Sequence, residues 1–380
     1  MPALTCSRPI VMAGRSDGAT PTGEVEEKTI NLPCGTRQAT QCQSCAATYK
    51  GRAQIIIGAG LPDAGEAAAA VFLTLTAPSF GPVHRFGLCI CGRDHTDKEV
   101  GIIGAPLNPA RYDYAGAAAW HAALPALWAV TRRRIRVNLA ALPGSEKVVI
   151  LRVVEYQKRL AAHLHCLVIV RGVTTPPGVV AQRIMAALAV TDPAHRAETA
   201  GGFAWGAEID AAPLYPGHKE GRNSYARAAG YLGKYLTKDA QGATVRDFAE
   251  TNRTPLARHR AASERAARAL VYARLYPSRW TRRPGSIEPI EVVIPDRDPA
   301  RDRAITNNGY GGHFLSKSPG WGDPHPERGT FRALKAAAQA ESIAKNGAQT
   351  LVWAWTYDAN ATRALRTLTR FVAQPSAPPA

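Results

Sequence analysis

The stretch that decides the fold is residues 148–170, VVILRVVEYQKRLAAHLHCLVIV. Its first part, residues 148–155, is rich in β-branched side chains and predicts a strand, and residues 162–170 predict a second one. Because only seven residues separate Glu155 from His163, we expect the two strands to form an antiparallel hairpin. The second strand is apolar at both alternating sets of positions, which predicts a central place in a sheet covered on both sides.

Two histidines, His163 and His165, alternate within the second predicted strand. A period of two puts both imidazoles on one face, where their nitrogens can meet one cation. Glu155 on the neighbouring strand could add a carboxylate oxygen, and Gln157, which has the same parity, could substitute for it. Two imidazoles and one carboxylate leave coordination positions open, which suits Mg²⁺, Mn²⁺ or a transition metal. An isolated H-x-H also arises in strands without any metal.

A helix is predicted over residues 225–238, and it contains Y-x-x-K twice. Tyr231 and Tyr235 would stack one turn apart on one face, with Lys234 and Lys238 beside them. A tyrosine can attack a phosphodiester and keep the phosphate as a covalent ester, and a nearby ammonium or metal would help the phenol to ionise. The competing interpretation is a helix with packed aromatic rings and solvated lysines.

The segments around the hairpin predict an α+β fold. Residues 71–76 form a strand that Pro78 ends, residues 115–141 are helical but broken or kinked at Pro125, and residues 178–190 form another helix. This order predicts a central antiparallel sheet with flanking helices on one of its faces.

Cysteine spacing indicates metal ligation in a reducing compartment, not disulfides. The candidate zinc ligands are six of the seven cysteines, namely Cys6, Cys34, Cys42 and Cys45 upstream and Cys89 and Cys91, with His95 close by, downstream. A closed zinc site needs four ligands, so the four upstream cysteines would suffice, and so would Cys34, Cys42 and Cys45 with Cys91. Buried thiols without a metal are the alternative, and Cys166 is expected to be a small core residue.

The charge balance indicates a nucleic-acid partner. The chain has 47 Lys plus Arg against 30 Asp plus Glu, a net charge of +17, which favours polyanions through counterion release. Residues 251–285 hold nine arginines and one acidic residue, Glu264, and could follow a phosphate backbone while Tyr276 and Trp280 stack on unpaired bases. A solvated basic helix is the competing interpretation.

Three regions follow from these patterns. Residues 1–62 are a loop-rich, cysteine-bearing and zinc-binding region, 63–245 the α+β domain, and 246–380 a basic, partly helical region with DNA contacts and a disordered tail. No secretory signal opens the chain, and the uncharged stretch 115–130 is shorter than the ~20 residues that span a bilayer. We therefore expect a cytoplasmic protein without membrane contact. It contains no P-loop, so unwinding would need a host helicase.

Taken in order, the motifs resemble those of the HUH endonucleases, and most closely the actinomycete plasmid initiators of the RepSA type. The motifs are FLTLT at 72–76, H-x-H at 163–165 and Y-x-x-K-Y at 231–235. Flanking segments that also match are 72–84, 154–159 and 312–318, and the resemblance covers residues 6–345. The chain departs at Asn108 and Arg111, where relatives often carry further cysteines, which argues against a second zinc site.

The resemblance implies a rolling-circle replication initiator that nicks and rejoins DNA at an origin with a divalent metal. His163 and His165 would bind that metal, with Glu155 as the third ligand. Tyr235 would be the nucleophile, with Tyr231 as a second nucleophile or a packing residue, and a host polymerase would extend the freed 3′ hydroxyl. The alternatives are a transposase or conjugative relaxase with the same chemistry, and a zinc-containing DNA-binding regulator without catalysis.

Overall fold

The fold is described from a computed structural model of the chain. The described residues are 6, 10–16, 27–37, 39, 42–96, 99, 101–188, 202–216, 224–236, 254–275, 310, 313–323, 325–326, 328–346, 353–357 and 367–371. Lys238, Tyr276, Trp280 and the C-terminal tail therefore lie outside the described residues.

The secondary structure is mixed. In chain order the strands are β1 Ile10–Ser16, β2 Glu27–Leu32, β3 Ala68–Thr76, β4 Gly87–Leu88, β5 Asp94–His95, β6 Lys147–Tyr156, β7 Ala162–Arg171, β8 Ile209–Leu214, β9 Leu315–Lys317, β10 Trp353–Tyr357 and β11 Thr367–Phe371. The helices are α1 Gln43–Gly58, α2 Tyr114–Ala140, α3 Pro177–Leu188, α4 Tyr225–Leu236, α5 Pro255–Leu275 and α6 Phe331–Asn346.

The chain divides into two compact units, one formed by residues 1–60 with 322–380 and the other by residues 61–321. The first unit holds an antiparallel sheet in the order β11-β10-β1-β2 together with α1 and α6. The ring of Tyr49 in α1 stacks on Phe331 of α6 with centroids 5.0 Å apart. Residues 1–60 thus contain two strands and a four-turn helix, and the expectation of a loop-rich region is wrong there.

The second unit is built on a five-stranded antiparallel sheet in the order β8-β3-β7-β6-β9. Strands β6 and β7 form the expected hairpin, with Glu155 opposite His163. Strand β7 lies in the middle of the sheet, and its residues Leu164, Cys166 and Val168 are fully buried. The α+β class, the hairpin and the central place of β7 are therefore confirmed.

Helices cover both faces of this sheet. Helices α2 and α3 pack on the face that carries Leu73 and Leu164. Helix α4 lies on the opposite face, where its Tyr231 contacts Phe72. The expectation of helices on one face is wrong, because the second face is apolar as well at positions such as Leu167 and needs a cover of its own.

Helix α2 runs through Pro125 as one continuous helix. The residues on either side, Leu124, Leu127 and Trp128, are buried in the core. Their burial contributes about 1.5–3 kcal/mol for each large side chain, which outweighs the ~3 kcal/mol that an interior proline costs. The helix is therefore not broken at Pro125, whereas the other expected outcome, a kink there, stays a prediction.

Helix α5 packs against α2 along one of its faces. Leu256, His259, Ser263 and Ala267 are buried at spacings of three and four residues, which is one helical stripe. Arginines 258, 265 and 268 are exposed and lie away from that stripe. One side of α5 is thus buried against α2, and the other side is a cationic surface.

Among the described residues, no helix is both long and apolar enough to cross a membrane.

Candidate active site and metal centres

Strand register brings the sequence motifs together on one face of the central sheet. In β3, Thr76 lies opposite His163 and Thr74 lies opposite His165. In β6, Glu155 lies on the other side of His163. Because side chains alternate across a strand, the two histidines, the two threonines and the carboxylate all project to the same side. This is the face that α4 covers.

Each imidazole is oriented by a hydroxyl from β3. The distance from Thr76 Oγ1 to His163 Nδ1 is 3.1 Å, and the distance from Thr74 Oγ1 to His165 Nδ1 is 3.4 Å. If each Nδ1–H donates to its threonine, the Nε2 atoms are left unprotonated, which is the form a metal ligand needs. The sequence analysis did not assign this role to the threonines. The signal for this role was the alternation of the two threonines in FLTLT, which has the same period of two as the two histidines.

Glu155 contacts one of the two histidines directly. Its Oε2 lies 3.3 Å from His165 Nε2, and both side chains are largely buried. In the described part of the chain, two clusters have ligand atoms that all lie within 4.8 Å of one another. Glu155, His163 and His165 do not form such a cluster. The predicted third ligand therefore pairs with His165, while His163 is held separately.

The imidazole of His163 is neutral at physiological pH. Burial, and then the neighbouring His165, lower its pKa to about 4, although Glu155 acts in the opposite direction. A neutral imidazole can offer a lone pair to a cation without first losing a proton. The electrostatics of the site therefore suit metal binding.

Both tyrosines of α4 lie over the histidines. The ring centroid of Tyr235 is 5.2 Å from that of His165, the centroid of Tyr231 is 5.4 Å away, and the two tyrosine rings are 4.4 Å apart. Burial, a hydrogen bond with Tyr231 and the charge of Glu155 raise the pKa of Tyr235 well above its usual range. Lys234 is exposed on the same helix. The structure thus brings both predicted tyrosines to the H-x-H face.

A half-buried arginine, which the sequence analysis did not single out, supports the site through its hydrogen bonds. Arg159 in the turn after β6 donates from Nε to Gln157 Oε1 at 2.7 Å. Its two terminal nitrogens donate to the carbonyls of Ala77 and Pro78, each at 2.8 Å. Gln157 Nε2 in turn lies 3.4 Å from His163 Nδ1. Arg159 therefore links the end of β3 to Gln157, whose amide nitrogen lies at the same nitrogen of His163 as the Thr76 hydroxyl.

Four cysteines of the first unit form a cluster. The ligand atoms of Cys6, Cys34, Cys42 and Cys45 all lie within 4.8 Å of one another, and Cys6 Sγ lies 3.8 Å from Cys42 Sγ and 3.6 Å from Cys45 Sγ. A tetrahedral Zn²⁺ with the usual Zn–S bonds separates its sulfurs by about 3.8 Å. Burial raises the pKa of Cys45 to about 12, which is expected where thiolates crowd without a cation. This set fits a structural zinc ion.

The downstream cysteines lie elsewhere. Cys89 and Cys91 gather with His84 and His95 in the second unit. The upstream cluster is complete without Cys91, so the alternative zinc set that used Cys91 is not the one the structure assembles. Hydrogen bonding by the Cys91 backbone N–H lowers the pKa of Cys89 to about 7. The sequence analysis missed His84.

A protein-family model and a curated relative both match this chain. The family model described as the replication initiator protein of pSAM2, RepSA, matches residues 2–374. The chain belongs to the RepSA replication initiator family. A curated replication initiator protein from Streptomyces ambofaciens is 35% identical over 263 residues, which is 60% of this RepSA chain and 57% of the relative. The match thus spans little more than half of that relative, and no solved structure matches this RepSA chain.

Proposed function

We propose that this RepSA chain initiates plasmid replication by nicking and rejoining DNA at an origin through a tyrosine nucleophile. The observation that carries the proposal is the position of Tyr231 and Tyr235, whose rings lie within 5.4 Å of His165 on the face that also holds His163 and Glu155. Nucleophile and metal ligands beside one another are what such chemistry requires. The family description and the name of the Streptomyces ambofaciens relative support the replication context.

In this proposal, His163, His165 and Glu155 hold a divalent cation, Mg²⁺ or Mn²⁺. The donor set of two imidazoles and one carboxylate suits such an ion, and the threonine hydroxyls at the Nδ1 atoms favour ligation through Nε2. When bound, the cation would polarise a phosphoryl oxygen and offset the negative charge of Glu155. The proposal requires these three ligands to move together around the cation. The test below addresses this assignment through the His163→Ala variant.

Tyr235 is the proposed nucleophile. Its Oη would bond to the scissile phosphorus while the bond from phosphorus to the 3′ oxygen breaks, so the phosphate stays on the protein as a 5′-phosphotyrosine. The raised pKa of Tyr235 means that the phenol is protonated at neutral pH, so its proton must leave as the new bond forms. The departing 3′ oxygen takes up a proton and becomes the hydroxyl that a host polymerase extends. Rejoining is the reverse of these steps.

The DNA path would run over the cationic side of α5. Arg258, Arg265 and Arg268 are exposed, whereas the opposite side of the helix is buried against α2. Arginines held on a rigid helix can contact successive phosphates, and each neutralised phosphate adds to affinity by releasing counterions. The chain's charge of +17 supports the same partner. Because the sequence has no P-loop, a host helicase would supply unwinding.

The second tyrosine keeps a related function open. Tyr231 is 41% exposed and as close to His165 as Tyr235 is. Two adjacent nucleophiles would allow cleavage and strand transfer to alternate, as a transposase or relaxase needs. An origin flanking the gene, in place of transposon ends or a transfer origin, would favour replication initiation.

The test is a cleavage assay on supercoiled plasmid that carries the native replicon, with Mn²⁺ or Mg²⁺ and SDS before electrophoresis. The proposal expects nicked DNA with covalently attached protein, which Tyr235→Phe and His163→Ala abolish. Tyr225→Phe, at the start of the same helix, is the matched control and should nick normally. Loss only in Tyr231→Phe would move the nucleophile by one turn. Tight origin binding without any nick or adduct, with either metal, would leave a DNA-binding regulator instead.

A further inference from the structure

A small hairpin in the connection between β3 and α2 carries a second group of metal-ligating side chains. Strands β4 and β5 pair with Gly87 opposite His95, and the ligand atoms of His84, Cys89, Cys91 and His95 all lie within 4.8 Å of one another. We propose that these four residues hold a second structural zinc ion, in addition to the one at the upstream cysteines. The departures at Asn108 and Arg111 argued against a second site, but none of these four ligands lies at either position. The proposal does not depend on the nicking chemistry.

The spacing of the ligand atoms fits one tetrahedral centre. Ordinary zinc bonds of ~2.3 Å to sulfur and ~2.0 Å to nitrogen place two nitrogens about 3.3 Å apart and a sulfur about 3.5 Å from a nitrogen. The distance from His84 Nδ1 to His95 Nε2 is 3.2 Å, from Cys91 Sγ to His95 Nε2 it is 3.2 Å, and from Cys89 Sγ to His84 Nδ1 it is 3.9 Å. Two thiolates with two imidazoles are a zinc ligand set that leaves no open position.

Backbone hydrogen bonds preorganise the ligands. The amide of Cys89 donates to the carbonyl of Arg93 at 2.9 Å, and Gly92, with φ of +83°, donates to the carbonyl of Cys89 at 2.9 Å. The tight turn brings Cys91 back beside His95. On the other side, the amide of His84 donates to the carbonyl of Ala105 at 2.9 Å. The backbone that carries the four ligands is therefore fixed by hydrogen bonds of its own before any metal binds.

A carboxylate orients one of the imidazoles from behind. Glu99 Oε2 lies 2.7 Å from His95 Nδ1, so the Nδ1–H donates to it and His95 Nε2 is the atom that faces the cluster. Zinc-binding histidines usually donate their second ring N–H to such an acceptor, which fixes the tautomer and raises the basicity of the ligand. Glu99 is thus a positioning residue for the proposed zinc.

The described residues of the hairpin, 84–96, do not bury a large apolar side chain among themselves. Its large apolar side chains face solvent: Phe86 is 43% exposed, Ile90 65% and Leu88 77%. A two-stranded hairpin with two-residue strands is marginal in water unless something else holds it, and small modules of this kind are commonly held by a metal. The cluster accounts for an ordered hairpin that hydrophobic burial does not explain.

The proposed zinc would also steady the face of the central sheet that carries His163 and His165. The segment that pairs with His84 contains Gly104, whose φ is +87° and whose α-carbon lies so close to the backbone of Lys158 that a β-carbon would overlap it. Lys158 and Arg159 belong to the turn that positions Gln157 next to His163. Holding the hairpin therefore holds the loop that packs on this turn.

Metal content of the purified full-length chain tests the proposal. Inductively coupled plasma mass spectrometry after gel filtration should give two zinc ions per chain. The double variant Cys89→Ser/Cys91→Ser should keep one, and so should Cys42→Ser/Cys45→Ser, while Cys166→Ala, which changes a buried cysteine outside both clusters, should keep two. One zinc in the unaltered chain, lost entirely in Cys42→Ser/Cys45→Ser and retained in Cys89→Ser/Cys91→Ser, would overturn it.

Cobalt spectroscopy distinguishes the two proposed sites by their ligands, with circular dichroism as the control for folding of each variant. Co²⁺ in Cys42→Ser/Cys45→Ser should give the d–d bands of a tetrahedral site with two thiolates and two imidazoles, at shorter wavelength than a site with four thiolates. Glu99→Gln should keep this spectrum but weaken zinc affinity by ~10–100-fold in competition with a chelator. A cobalt spectrum without tetrahedral d–d bands in that double variant would contradict a second site.

Discussion

Replacing Thr76 by valine isolates the hydrogen bond that sets the tautomer of His163. Valine matches threonine in shape, and the side chain is 6% exposed, so packing should be kept. The change removes the hydroxyl that lies 3.1 Å from His163 Nδ1. The remaining neighbour, Gln157, presents its amide nitrogen at 3.4 Å, because Arg159 holds the amide oxygen. An amide donor favours the imidazole with its proton on Nε2, which leaves no lone pair on the atom proposed to bind the metal.

The size of the effect follows from this geometry. One hydrogen bond to a neutral partner is worth about 1 kcal/mol, and loss of an outer partner of a metal-bound histidine weakens metal affinity by ~10–100-fold, or about 1.4–2.7 kcal/mol. We expect Thr76→Val to weaken Mn²⁺ binding by about tenfold or more. Thr74→Val should cost less, because its hydroxyl is 3.4 Å from His165 Nδ1. Thr76→Ser keeps the hydroxyl and should restore affinity.

The measurement is a calorimetric titration of the zinc-loaded chain with Mn²⁺, beside the Mn²⁺ dependence of nicking. Thermal unfolding of each variant serves as the control for folding. The expected order of affinity is unaltered chain and Thr76→Ser, then Thr74→Val, then Thr76→Val. Unchanged Mn²⁺ affinity in Thr76→Val, with an unchanged melting temperature, would refute the proposed role of the threonine row.

Further predictions concern stability. Burial lowers the pKa of His259 to about 4, so between pH 6.5 and pH 4 the unfolded chain binds a proton at this residue that the folded chain does not. The contribution of His259 to the free energy of unfolding should fall through this window by at most about 3 kcal/mol, in addition to that of His163, whose pKa is lowered in the same way. Urea unfolding at pH 4.5 and 7 should show a smaller difference in His259→Gln. Arg159→Lys leaves at least one of three carbonyl or amide acceptors without its donor and should cost about 1–3 kcal/mol; no change in urea midpoint would contradict that. Gly104→Ala should lower the melting temperature sharply, because its methyl would overlap the Lys158 backbone, whereas Gly51→Ala in α1 meets open space and should gain up to ~1 kcal/mol.

The hairpin and the tyrosine helix were predictable because their patterns are local. Strand β6 is one residue longer at each end than the predicted range 148–155, and β7 is one residue longer than 162–170 at its C-terminal end only, since β-branched runs and a short connection leave few other pairings. Helix α4 was predicted from Tyr225 onward, where the structure begins it. The meeting of these two elements at one site came from the order of the motifs, and not from any single spacing.

Other features depend on packing between distant segments, which composition does not reveal. His84 is held beside Cys89 and Cys91 by backbone hydrogen bonds with residues 104 and 105, which come later in the chain. The expected break at Pro125 failed because tertiary burial on both sides of the proline outweighs the local cost. Helix α1 was missed because its apolar run ends in three consecutive isoleucines, which local propensity assigns to a strand.

Because strand β9 comes late in the sequence, the central sheet can be completed only late in synthesis. This strand closes the edge of the central sheet on β6, and Ser318 accepts a hydrogen bond from the amide of Ile150, 168 residues earlier in the chain. The buried Arg152 likewise donates to the hydroxyl of Tyr310. On the ribosome, the H-x-H strand emerges long before its sheet can be completed. A nascent or truncated chain that ends before residue 318 should therefore lack the completed five-stranded sheet, so the face that carries His163 and His165 is not fully supported until translation has passed this point.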